Sequence, residues 1–157
     1  MADENSHIAA ANRNQKTLNH LCADIAAHSP WVVTVAAYKA IHEIEAAFAA
    51  DSQVRHTSDH GTRLATLKKL LKYRHVYLHF SPFYRASRVA RYLESNGETV
   101  SCFDEWLEPD KVASEFLFHH LKQIENAIRK KLSTPNSLLS VDELQPILEA
   151  AKARKTG

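Results

Sequence analysis

Apolar residues recur three and four positions apart along most of this chain, the spacing that gives a helix one buried stripe. Over 11–27 the stripe is Leu18, Leu21, Cys22 and Ile25. Ser29-Pro30 closes that helix and starts the next. Ser29 serves as N-cap and Pro30 as first helical residue, where a missing N–H costs nothing. Residues 30–50 are apolar on most sides (Trp31, Val32, Val35, Ala36, Ile41, Ile44, Ala47, Phe48), which predicts a central, buried helix. Asp51 to His60 is a polar connection. Gly61 to Leu71 gathers Leu64, Leu67, Leu70 and Leu71 on one side, and Tyr73 to Phe80 is a short histidine-rich helical piece. Ser81-Pro82 repeats the Ser-Pro start and predicts a helix to Ser95, stopped by Asn96-Gly97. Glu98 to Phe103 reads as an extended connection, without a sheet. A long helix over 109–132 follows, striped by Leu117, Leu121, Ile124 and Ile128, with Lys130 and Lys131 suiting its C-terminal dipole. Residues 133–137 break it. Ser140 and Glu143, at capping-box spacing, open a last helix that ends in a basic tail.

The predicted class is all-α: a four-helix bundle with an additional C-terminal helix. Its divisions are an N-terminal tail (1–10), the bundle (11–132), and a linker and C-terminal helix (133–157). A length of 157 residues suits one domain, and three glycines with five prolines are too few for a sandwich or barrel. No apolar run reaches the roughly 20 residues a membrane span needs. The acidic start lacks an apolar signal region, and Cys22 and Cys102 do not make a disulfide framework or a thiolate zinc site. The expectation is a cytoplasmic protein with reduced thiols and no membrane contact.

Charge changes the picture. From Ser52 to Leu93 there are nine basic residues against Asp59 alone, a net +8; the remainder has 11 basic and 17 acidic residues, a net −6. Four of the ten histidines (His56, His60, His75, His79) share the basic block. A block of this kind points to a polyanion such as RNA, or to pairing with the acidic stretch downstream.

Four pieces occur in order: the buried helix with Ala37, Tyr38 and His42; His60-Gly-Thr-Arg63 opening the next helix; Tyr84 to Tyr92 ending in Ala-Arg-Tyr; and a long closing helix. Together they resemble a subgroup of the HEPN superfamily over 31–132. The resemblance implies a homodimer of helical bundles, acting in many members as a metal-independent endoribonuclease of toxin–antitoxin or antiviral systems. In others it implies a binding or assembly module. An antitoxin or another protein partner is part of that expectation. The family signature sets Arg four to six residues before His. Arg55 with His60, and Arg74 with His79, fit that spacing, though neither arginine is followed by Asn. On one continuous helix, residues five apart point about 140° away from each other, so Arg74 and His79 meet only if the helix breaks or two chains combine.

RNA cleavage without metal needs a base for the 2′-hydroxyl and a cation for the phosphate, which histidine and arginine supply. The candidates are His60 as base with Arg63 or Arg55 as cation, and His42 in the same cleft or held in the core. Arg88 and Arg91 are candidate phosphate grips, with Tyr84 or Tyr92 stacking a base. His60 and Arg63, three apart at a helix start, share a face. A zinc site from His42, Glu45, His56 and His60 is chemically possible but follows no motif, so no metal and no cofactor are assigned. His119 and His120, adjacent on a helix, read as surface or packing residues. No Gly-rich phosphate loop, His-Glu-x-x-His or Gly-x-Ser-x-Gly is present, which excludes kinase, metalloprotease and esterase readings.

Overall fold

The computed structural model describes residues 3–95 and 97–156, with backbone alone for 155 and 156. It is an all-α bundle, as the apolar pattern predicts. Helix α1 (Glu4–Leu21) runs through a short 3-10 turn into α2 (Ile25–Ala50). After the loop come α3 (His60–Lys69) and α4 (Arg74–Tyr92). A two-stranded antiparallel hairpin follows, β1 (Glu94–Ser95) and β2 (Glu98–Thr99), in the register Glu94 to Thr99 and Ser95 to Glu98. The short helices α5 (Phe103–Trp106) and α6 (Pro109–Lys111) come next. Helix α6 continues as a π-helix over Val112–Leu121 and then as α7 (Lys122–Arg129). A final helix, α8 (Leu144–Thr156), closes the chain. Helix α2 is central, packed on α1, on α4 and on the π-helix with α7. None of the described helices is long and apolar enough to cross a membrane.

The core follows the expected stripes. Leu117, Leu121, Ile124 and Ile128 are fully buried, as are Ile44, Ala47 and Leu18. Four expectations are corrected. Residues 3–10 are not a tail: Asp3 accepts a hydrogen bond from the Ser6 N–H at 2.7 Å, starting α1, and His7 and Ile8 are buried. The buried series Ile8, Ala11, Leu18 and Cys22, with Gln15 buried among them, is what holds that helix on α2.

Neither Ser-Pro pair divides a helix; Pro30 lies inside α2 and Pro82 inside α4. Proline's φ fits a helix, and each ring removes one N–H from the ladder, a cost of roughly 3 kcal/mol that burial of the surrounding apolar faces offsets. Ser29 does not cap: its hydroxyl bonds the carboxylate of Asp104, tying α2 to α5. Helix α4 stops at Leu93, which takes the left-handed conformation (φ 50°) and donates its N–H to the Val89 carbonyl at 2.9 Å. The chain then folds back as the hairpin, with Gly97 at φ 82°, where the Asn-Gly pair had suggested only a helix stop. Asn96 itself lies outside the described residues.

A buried ion network fixes the closing segment. Lys39 on α2 pairs with Glu43 and with Glu125 of α7 at 3.0 Å, and donates to the Leu139 carbonyl at 3.2 Å. Glu125 also accepts from the Val141 N–H at 2.9 Å and from Arg129 at 3.0 Å. Burial opposes the Lys39 charge, and its two carboxylates overcome that, holding its pKa above the ordinary value. Burial pushes Glu43 up to about 7 against the pull of Lys39.

Candidate functional site

Helix α3 begins where Asp59 caps it: its carboxylate accepts from the Thr62 N–H at 2.8 Å and from the Thr62 hydroxyl at 2.6 Å. That cap sets the first turn and places His60 and Arg63 on one face. Arg63 Nη1 lies 3.2 Å from His60 Nδ1. Arginine has only donors, so His60 Nδ1 accepts and the proton of the neutral ring sits on Nε2. Arg63 turns inward, only 5% exposed, and its Nε donates to Glu45 Oε1 at 2.8 Å.

Glu45 is the hub of this corner. The Thr57 N–H bonds its other oxygen at 3.1 Å, and the Thr57 hydroxyl bonds Oε1. His56 Nδ1 stands 2.8 Å from Oε2, close enough to pair when protonated but not aligned as a hydrogen bond. Arg63 is therefore a neutralised, buried cation that holds His60 in place.

Helix α4 supplies the opposite wall. His60, Tyr84, Arg88, Arg91, Tyr92 and Glu94 line one open groove of about 480 Å³. The Tyr84 ring is 5.4 Å from that of His60. Arg91 stacks over Tyr92 at 5.1 Å and donates to the Ser87 carbonyl at 3.0 Å. Tyr92 is 62% exposed. Neither Arg88 nor Arg91 forms an ion pair among the described residues. The groove continues past Tyr84 and Arg88 into a second hollow of about 320 Å³, where Arg85 bonds the Ser95 hydroxyl at 2.9 Å. Arg85, Arg88 and Arg91 thus form one ridge along α4, three residues apart. Burial lowers the His60 pKa first, and Arg63 and Arg91 lower it further. The ring is neutral at pH 7.

Not every candidate reaches this groove. Arg55 is exposed in the α2–α3 loop and lines a different recess with Asp3, Asp51 and His56. His42 is half-buried on α2 with His7 as its partner, the two Nδ1 atoms 3.3 Å apart. Burial depresses His42 first, then the neighbouring His7. Arg74 starts α4 and is exposed, whereas His79 faces the π-helix, so that pair does not converge within one chain.

Among the described residues, two groups have a donor set for a metal: His7 with Glu45 and His56, and His79 with His119 and His120. In the first, both Glu45 oxygens already accept bonds and Arg63 adds a positive charge. Sequence reasoning missed Thr57 and His7 and weighed Glu45 only as a possible zinc ligand, not as the partner of Arg63; the three come from separate elements. Compared with models of known protein families, with curated proteins and with solved structures, the chain finds no match.

Proposed function

We propose that this is an RNA-directed protein of the HEPN type, acting at the His60 groove as a metal-independent endoribonuclease of a defence or toxin–antitoxin system. The observation that carries the reading is the meeting of His60 with Arg88, Arg91, Tyr84 and Tyr92 around one hollow. Two guanidinium groups with no ion pair among the described residues suit phosphates, and exposed Tyr92 offers a face for a base. His60 is the group for proton transfer. To take the 2′-hydroxyl proton it must free a ring nitrogen, which means turning away from the Arg63 contact. The attacking 2′-oxygen then displaces the 5′-oxygen at phosphorus, leaving a 2′,3′-cyclic phosphate and a 5′-hydroxyl that takes its proton from the His60 imidazolium or from water, while Arg88 or Arg91 bears the added charge. Arg63, paired with Glu45, holds His60 only in its resting orientation and does not take the role of phosphate cation that the sequence suggested. A homodimer and an antitoxin partner belong to the same proposal.

The His60–Arg63 bond favours a second reading. A ring whose lone pair is occupied presents an N–H to the groove and binds a phosphate without cleaving it. The test incubates purified protein with RNA in EDTA, beside His60→Ala. Cleavage that persists in EDTA and disappears in the variant supports the enzyme. Intact RNA that still binds, with binding weakened by salt, supports the non-catalytic module. Absence of both contradicts any RNA role.

A further inference from the structure

A second histidine cluster lies away from the groove, and nothing in the reading above uses it. His79 of α4 faces the π-helix, and its ring is 5.2 Å from that of His119 and 5.4 Å from that of His120. His119 and His120 are 4.9 Å apart. One nitrogen from each of the three rings lies within 4.8 Å of the others. His119 and His120 are adjacent on the π-helix, whose extra residues per turn slightly reduce the rotation between them, and both rings reach His79.

We propose that His79, His119 and His120 form a binding site for a zinc ion, clamping α4 to the π-helix. Three imidazoles are a donor set for zinc and related first-row cations and a poor one for magnesium or calcium. Zinc–nitrogen bonds of about 2.0–2.1 Å set tetrahedral donors roughly 3.4 Å apart, so the rings need only small rotations. His79 Nδ1 and His120 Nδ1 are already 3.1 Å apart, sharing a hydrogen bond that a metal ion would replace. Among the described residues no carboxylate hydrogen-bonds any of the three rings, unlike the Glu45 corner, and Glu115 acts on His120 only through its charge. His119 is exposed, which gives the ion an entry path. His75 stands beside the cluster, its ring 4.7 Å from that of His79 and its Nε2 3.4 Å from Gln123 Oε1. His75 or a water completes the tetrahedron.

The experiment is equilibrium dialysis of the untagged, chelator-stripped full chain against zinc chloride, with metal analysis of the protein. The expected result is one zinc per chain. His119→Ala, an exposed change that leaves the core intact, weakens binding by at least about tenfold, and His79→Ala removes it. His56→Ala leaves binding unchanged. Cobalt in place of zinc gives the visible bands of a tetrahedral site, lost in His119→Ala. Zinc not retained by the wild type, binding unaltered in His119→Ala, or binding lost only in His56→Ala overturns the proposal.

Discussion

Burial first, and then the charges of Arg63 and Arg91, lower the pKa of His60 below its ordinary value. His7, His42, His79 and His120 are depressed as well, in each case by burial first. His79 is lowered to about 4. A histidine lowered in the fold takes up its proton more readily when unfolded. Its contribution to stability is complete above the ordinary 6.5 and is lost as pH falls toward the folded value. Glu43, raised to about 7, runs the other way, as one carboxyl against five imidazoles. Urea midpoints in EDTA are therefore expected to fall between pH 7 and pH 4.5; midpoints that hold level or rise contradict these assignments. The adjacency of His60 and Arg63 was legible because three residues in a helix start make a local face. The partner of Arg63 was not, since Glu45 lies 18 residues upstream across a loop. His7 was hidden for the same reason, in a stretch whose polar composition read as a tail.

Among the elements, the helical stripes were readable wherever apolar spacing was regular, as at Leu117 to Ile128. Local signals misled where tertiary packing outweighed them. Both prolines stand inside helices because α2 and α4 bury long faces on each other, a gain no four-residue motif records. The π-helix has no signature in a single sequence, so the convergence of His119 and His120 was invisible there. Lys39, on a largely apolar helix, also gave no sign that Glu125 would meet it 86 residues later. Removing it leaves Glu43 and Glu125 buried with Arg129 as their remaining cation. Lys39→Ala is expected to lower unfolding stability by about 3–5 kcal/mol, as broken buried pairs do. The loss relative to wild type is smaller at pH 5 than at pH 8, because protonation relieves the stranded carboxylates. Chemical denaturation at both pH values measures this, and a loss below about 1 kcal/mol at pH 8 rules out an energetic role for the network.

At the scale of the whole molecule, the +8 block between Ser52 and Leu93 is sorted by the fold. Arg63 is spent on Glu45 and Lys72 on Asp51, whereas Arg85, Arg88 and Arg91 line up along α4 beside His60. The charge map showed that a polyanion surface was plausible but not which charges were already neutralised. That distinction depends on partners brought from α2. The most direct test is the affinity for a single-stranded RNA oligonucleotide across a salt series, wild type against Arg88→Ala/Arg91→Ala. Each lost phosphate contact takes about 0.7 from the slope of log affinity against log salt. The account predicts a slope shallower by about 1.4 and affinity at least about tenfold weaker at low salt. Equal slopes and equal affinities would contradict it.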